Sequence, residues 1–89
     1  MDNKQITIRI KEAEDALETI GQYINYRRDD IHSREEIIKV CTPFIKRGFH
    51  AKINYYKDHR KPYQCYIIQK KPFDLSKQGQ MVYSEILKQ

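Results

Sequence analysis

The sequence predicts a small single α+β domain over residues 1–89, in the order β-α-α-β-β-α, with an antiparallel sheet and helices packed mainly on one face. Three observations predict this class. The chain has 89 residues, enough for one small domain. Some segments carry apolar residues at helical spacing, and two neighbouring segments alternate apolar and polar residues as strands do. Only six residues are glycine or proline, which argues against collagen-like and low-complexity classes.

The N-terminal segment fits two interpretations. Three isoleucines alternate with polar residues over 6–10, which is the period of a half-buried strand. Apolar residues over 6–24 also recur at steps of three and four, the period of one long helix. Ile8 separates the two, because a helix leaves it on a polar side whereas a strand buries it. We expect a strand over about residues 5–10 and a helix over about 12–27.

The next helix has recognisable ends. Ser33 and Glu36 fit a capping box, in which a serine hydroxyl and a glutamate carboxylate each satisfy a backbone amide. An apolar stripe follows, and a cationic last turn precedes Gly48. Pro43 removes a backbone hydrogen bond inside this pattern. The sequence therefore predicts a helix over about residues 34–47 that is kinked near its middle.

The rest of the chain predicts a hairpin and a final helix. Residues 49–71 alternate apolar and polar side chains on both sides of a polar connection, which is typical of a β-hairpin. Asp74 or Ser76 is then expected to cap a helix in which Val82 and Ile86 lie on the buried side.

Cys41 and Cys65 are predicted to be free, buried thiols. Two cysteines without a secretion signal indicate a cytoplasmic, reducing location. The cysteines and the three histidines lack the short spacings of a structural zinc site, so neither a metal nor a cofactor is predicted. No apolar run approaches the roughly 18 residues of a membrane span, and no membrane association is predicted.

The positive charge is concentrated in one part of the chain. The formal net charge is +5, yet residues 37–73 carry nine bases against the single acid Asp58. Four of the seven tyrosines lie in the predicted hairpin. Cations neutralise phosphates and release counterions, and aromatic rings stack on unpaired bases. The sequence therefore predicts a nucleic-acid-binding protein that uses a Lys/Arg/Tyr-rich hairpin. The candidate binding residues are Lys46, Arg47, Lys52, Tyr56, Lys57, Arg60, Lys61, Tyr66 and Lys70.

This prediction assumes a particular orientation of the hairpin strands. If Ile53, Cys65 and Ile67 face the helices, the other face of the sheet is open and basic. That open face then carries Lys52, Tyr56, Tyr66 and Lys70, with Asn54 and Gln64 between them.

No enzymatic signature is found, and no catalytic residue is assigned. His59 lies among cations at the hairpin tip, but no positioned partner for acid–base chemistry can be identified. The isolated glycines form no phosphate-binding loop. The acids of the first helix are expected to form a solvated side, stabilised by the helix dipole. They are Glu12, Glu14, Asp15 and Glu18.

Two rival functions stay open. The composition is typical of AT-rich bacterial or phage genomes, and a small basic domain suits a phage-type protein that inhibits or regulates a host or defence protein, like an anti-CRISPR. Its partner would be an acidic host protein surface. The predicted order β-α-α-β-β is also similar to that of ribosome-dependent mRNA interferases, which implies RNA cleavage involving His59 or Arg60. The heptad-like pattern over 6–24 and the small size are compatible with a homodimer.

Overall fold

The computed structural model of the protein describes residues 3–25, 33–56, 63–74, 76 and 83–88. Two helices and four strands follow one another along this chain. They are α1 (Asn3–Thr19), β1 (Gln22–Asn25), α2 (Arg34–Lys46), β2 (His50–Tyr56), β3 (Tyr63–Gln69) and β4 (Tyr83–Leu87). The strands form one sheet in the order β1-β3-β2-β4, and every neighbouring pair is antiparallel. The α+β class is confirmed, but the predicted order of elements is wrong at both ends of the chain.

The predicted strand over residues 5–10 is wrong, because these residues belong to α1. The buried residues of α1 step by three and four from Ile6 to Leu17, as a helix requires. Ile8 lies on the outer side of this helix and is 46% exposed. The alternation of isoleucines is therefore incidental, and burial of Ile6 by tertiary contacts decides the segment.

The predicted helix over residues 12–27 ends earlier than expected. Gly21 adopts a φ of +77°, and its N–H donates to the carbonyls of Ala16 and Leu17, each at 3.1 Å. This left-handed conformation favours glycine and turns the chain out of the helix. Residues 22–25 then form β1 rather than a continuation of α1.

The second helix is confirmed. Ser33 accepts a 3.1 Å hydrogen bond from the backbone N–H of Glu36, as the capping pattern predicts. Pro43 lies inside the helix, and Gly48 follows its end with a φ of +93°. The sequence signals at both ends therefore placed α2 correctly.

The hairpin is confirmed, but the orientation expected for β3 is wrong. Ile53 in β2 lies directly opposite Tyr66 in β3. Opposed residues share a face of the sheet, so Tyr66 and Ile68 lie on the same side as Ile53. Cys65 and Ile67 point to the other side, although we expected them to face the helices.

The predicted final helix is also wrong. Residues 83–87 form β4, in which Glu85 lies opposite Ile53. Asp74 accepts hydrogen bonds from the backbone N–H of Ser76 at 3.1 Å and from its hydroxyl at 2.6 Å. The first residue of the expected stripe, Val82, lies outside the described residues.

One face of the sheet, here the core face, forms the hydrophobic core with both helices. The core residues are Ile6, Ala13, Leu17, Ile37, Val40, Cys41 and Phe44 from the helices, and Tyr23, Ala51, Ile53, Tyr66, Ile68 and Leu87 from the sheet. The opposite side, here the second face, carries Lys52, Asn54, Tyr56, Cys65 and Ile67. In the described part of the chain, no helix is long and apolar enough to cross a membrane.

The assignment of residues 5–10 to α1 can be tested with two neighbouring isoleucines. Ile6→Ala is expected to lower the free energy of unfolding by about 2 kcal/mol, because Ile6 is buried in the core. Ile8→Ala should change it by less than about 0.5 kcal/mol, because that side chain is exposed. Urea unfolding of both variants measures the difference, and equal losses would indicate a strand instead.

Candidate nucleic-acid interface

The second face is not the open platform that the sequence predicts. Lys52 and Tyr56 do share this face, yet Lys52 is only 8% exposed and Asn54 only 2%. The ammonium of Lys52 lies 4.5 Å from the centre of the Phe73 ring, in a cation–π contact. The side-chain oxygen of Asn54 accepts a 2.7 Å hydrogen bond from the hydroxyl of Ser84. The middle of the face is therefore covered, which removes Lys52 from direct contact with a ligand.

Tyr66 lies in the core, and the prediction that it lies on the open face is wrong. Its side chain is 1% exposed, and burial raises the pKa of its hydroxyl. That hydroxyl accepts a 3.1 Å hydrogen bond from the amide of Asn25 in β1. The ring of Tyr23 lies 6.0 Å away, centre to centre. Tyr66 is thus a structural residue that joins β1 to β3.

The same network reaches α1. The hydroxyl of Tyr23 donates to Glu12 at 3.1 Å, and Glu12 also accepts from Arg9 at 3.3 Å. Arg9 is only 6% exposed, although it carries a charge. Glu12 keeps a side chain that is 38% exposed, yet it also joins α1 to β1 through Tyr23. Nothing in the sequence distinguishes Glu12 from its exposed neighbours, since Tyr23 comes from another element.

Apart from Lys4, the exposed cations of the described chain form two groups. One group has carboxylate partners: Lys11 with Asp15 at 3.1 Å, Arg34 with Glu85, Lys39 with Glu35 at 3.5 Å, and Arg47 with Glu14 at 3.4 Å. The other group forms no ion pair with any residue that the structure describes. It comprises Lys46, Lys70, Lys71 and Lys88.

These four lysines lie at one end of the sheet. Gln69 lies opposite His50, and Leu87 lies opposite Ala51, so Lys70 and Lys88 leave the sheet on either side of the start of β2. The two strands that carry them flank β2 and are therefore about 10 Å apart. Lys46 ends α2, directly before the turn into β2. We call the group of Lys46, Lys70, Lys71 and Lys88 the basic end.

A groove beside the basic end brings two predicted binding residues together. Arg47 and Lys70 line it, and the Arg47 guanidinium lies 4.8 Å from the centre of the Phe44 ring. Its remaining walls are Glu14, Leu17, Glu18 and Phe49. Of the predicted binding residues, Lys46, Arg47 and Lys70 lie together, Lys52 and Tyr56 lie on the second face, and Lys57, Arg60 and Lys61 lie outside the described residues. Lys88 was missed, because only the pairing of β4 brings it to this end.

An ion pair joins the start of α2 to the middle of the edge strand β4. The guanidinium of Arg34 donates to both carboxylate oxygens of Glu85, and the hydroxyl of Tyr55 donates to the same carboxylate at 3.3 Å. These hydrogen bonds, above all those from Arg34, hold the pKa of Glu85 below its ordinary value of 4.5. A charged pair therefore fixes the N-terminus of α2 against the edge strand.

Both cysteine thiols are buried, and the described residues form no metal-binding cluster. Burial raises the pKa of the Cys41 thiol to about 12. Burial also raises the pKa of Cys65, against the opposing effects of hydrogen bonds with Tyr56 and Asn54. Both thiols are free, as predicted. Among the residues described, no group of three or more His, Cys, Asp or Glu side chains could hold a metal ion.

No protein-family model matches the chain, and no curated protein and no solved structure is significantly similar to it. The function must therefore be argued from the site itself. Its distinguishing chemistry is exposed positive charge at the basic end.

The ion pair predicts a pH-dependent contribution to stability. A carboxylate whose pKa is lower in the folded state stabilises the fold above its unfolded pKa, and this contribution is lost as the pH falls through the folded value. Glu85→Gln should therefore be less stable than the wild type at pH 7, and the difference should shrink below about pH 4.5. Urea unfolding midpoints of the wild type and the variant, determined at pH 7 and below about pH 4.5, measure this difference. A difference independent of pH would contradict the role of the charge.

The burial of both thiols predicts slow modification. Cys41 and Cys65 are at most 1% exposed, and their pKa values are raised, so little reactive thiolate is present near neutral pH. Ellman's reagent should detect no rapidly reacting thiol in the folded protein and two in urea. One fast thiol in the folded protein would show that its burial is incomplete.

Proposed function

We propose that the protein binds nucleic acid through phosphate contacts made by the basic end. The supporting observation is that four exposed lysines without an ion-pair partner among the described residues lie at one end of the sheet. Such an ammonium neutralises a phosphate without first breaking an ion pair. The proposal keeps the predicted class of partner but moves the main contact surface away from the middle of the sheet.

A purely structural explanation covers only one of these lysines. Lys46 lies in the last turn of α2, where a cation favourably meets the helix dipole. Lys70, Lys71 and Lys88 follow strands, and a strand end has only a small dipole. Three of the four charges at the basic end therefore have no stabilising role of this kind, which supports a role in binding.

The acids of α1 indicate which way a bound nucleic acid runs. Glu14, Asp15 and Glu18 are exposed on the last turns of α1. Arg47 pairs with Glu14, and Lys11 pairs with Asp15. Glu18, which forms no ion pair with a described residue, repels a phosphate backbone and disfavours its passage over α1. A nucleic acid at the basic end is therefore directed across the ends of β2, β3 and β4.

The hairpin stays part of the proposal as a second contact. Lys57, Arg60 and Lys61 fall between β2 and β3 in the sequence and lie outside the described residues. Within the described part of the chain, β2 extends about 20 Å from the basic end to Tyr56. Variants can therefore test the basic end and the hairpin separately.

An inhibitor of a host protein is the second candidate. Ile38 lines a groove along β4 and is 40% exposed, and Tyr83, two residues before the groove-lining Glu85, is 52% exposed. Exposed apolar side chains at a strand edge suit a protein partner, and an acidic surface on that partner would engage the same lysines. Failure to bind any RNA or DNA at about 50 mM salt would favour this candidate.

The nucleic-acid proposal predicts a steep dependence on salt. The four phosphate contacts of the basic end by themselves should weaken binding to a single strand roughly 50-fold between 50 and 200 mM salt. The triple variant Lys46→Gln, Lys70→Gln, Lys71→Gln keeps only Lys88 of the basic end, whose contribution over the same range is roughly 3-fold, so its salt dependence should be clearly shallower than that of the wild type. Fluorescence anisotropy with labelled RNA and DNA, after nuclease treatment of the protein, measures both slopes.

Two matched variants complete this experiment. Lys4→Gln, Lys11→Gln, Lys39→Gln removes the same charge from the helices and should keep most of the wild-type salt dependence. Neutralising Lys57, Arg60 and Lys61 together measures the contribution of the hairpin. If the hairpin variant lost binding while the basic-end variant kept it, the proposal for the basic end would be wrong.

A further inference from the structure

The edge strand β4 carries an exposed aromatic ring beside a groove. Tyr83 lies opposite Tyr55 of β2, and their rings stack with centres 4.4 Å apart and planes 17° apart. Tyr83 is nevertheless 52% exposed, whereas Tyr55 packs partly buried against the core. The ring of Tyr83 is therefore supported by Tyr55 and still accessible to a ligand.

This aromatic pair is held in place before any ligand arrives. The hydroxyl of Tyr55 donates a hydrogen bond to Glu85, and the guanidinium of Arg34 at the start of α2 donates to the same carboxylate. Tyr83 in turn rests on the Tyr55 ring. A ring fixed in this way loses little conformational freedom when a flat ligand stacks on it, so more of the stacking energy appears as affinity.

A groove begins at Glu85, which is hydrogen-bonded to Tyr55, and runs towards the basic end. Its walls are α2 and the edge strand β4, with Arg34 and Glu85 at one end and Lys88 at the other. From Tyr83 to Lys88 the strand covers about 16 Å. The only carboxylate that lines the groove within the described chain is Glu85, which Arg34 neutralises. Its other lining residues are Ile38, Cys41, Thr42, Ile45, Ile86 and Leu87.

We propose that the groove between α2 and β4 binds single-stranded nucleic acid, with one base stacked on Tyr83 and the adjoining phosphates directed to Lys88 and the basic end. This inference rests on the proposed function and adds the type of strand. A base must be unpaired and splayed out to expose its flat face to a side chain, which a single strand allows and a regular duplex does not.

The decisive comparison uses two labelled oligonucleotides with the same number of phosphates, a 15-nucleotide oligothymidine and a fully abasic strand. Stacking of a base on an aromatic side chain should make the wild type bind the base-bearing strand about 5- to 150-fold more tightly. Tyr83→Leu should remove this preference, and Tyr83→Phe should retain it. Binding of the abasic strand should be nearly unchanged in both variants.

Tyr56→Leu is the matched control, because Tyr56 is a half-buried tyrosine on the second face. It should retain the preference, and loss of the preference in this variant alone would place stacking on the second face and overturn the inference. Equal binding of both strands by the wild type would overturn the inference and leave phosphate binding intact. Binding of neither strand, nor of duplex RNA or DNA, would contradict the proposed function itself. The wild-type comparison requires no variant to fold.

Discussion

The register between β2 and β3 is the constraint on which the rest of the structure depends. Ile53 lies opposite Tyr66, and side chains alternate along a strand, so this single pairing assigns every residue of β3 to a face. It places Tyr66 and Ile68 in the core and leaves Cys65 on the second face. A slip of one residue would move the whole set to the opposite side. The partners available to β1 and α1 therefore follow from this register.

Placing a tyrosine at the centre of the core creates a second requirement. A buried hydroxyl is costly without a hydrogen bond, and Asn25 supplies one from the edge strand β1. Tyr23, two residues earlier on the same face, extends the network to Glu12 on α1. A short strand of four residues is thereby attached at its end by specific polar contacts as well as by backbone pairing. These contacts favour β1 over continuation of the helix.

The distribution of charge follows from where the elements end. Three exposed cations within the helices pair with carboxylates of the same helix or of a packed neighbour: Lys11, Arg34 and Lys39. The cations at the basic end belong to the last turn of α2 or follow strands. Sheet pairing brings them together across two strand spacings, although Lys70 and Lys88 are far apart in sequence. The groove along β4 runs from this positive region to Glu85, which is hydrogen-bonded to Tyr55 of the stacked pair.

By itself, the sequence determined the α+β class, the position of α2 and the existence of the hairpin, because capping and alternation are local signals. It also indicated the basic character of residues 37–73 and the burial of both thiols. Only the tertiary structure decided whether residues 5–10 and 83–87 are helix or strand, because apolar residues four apart fit both a helical stripe and one face of a sheet. The face of Tyr66 and the place of Lys88 depend on pairing between distant strands. No local pattern encodes that pairing, because its energy comes from burial and hydrogen bonds that exist only once the strands meet.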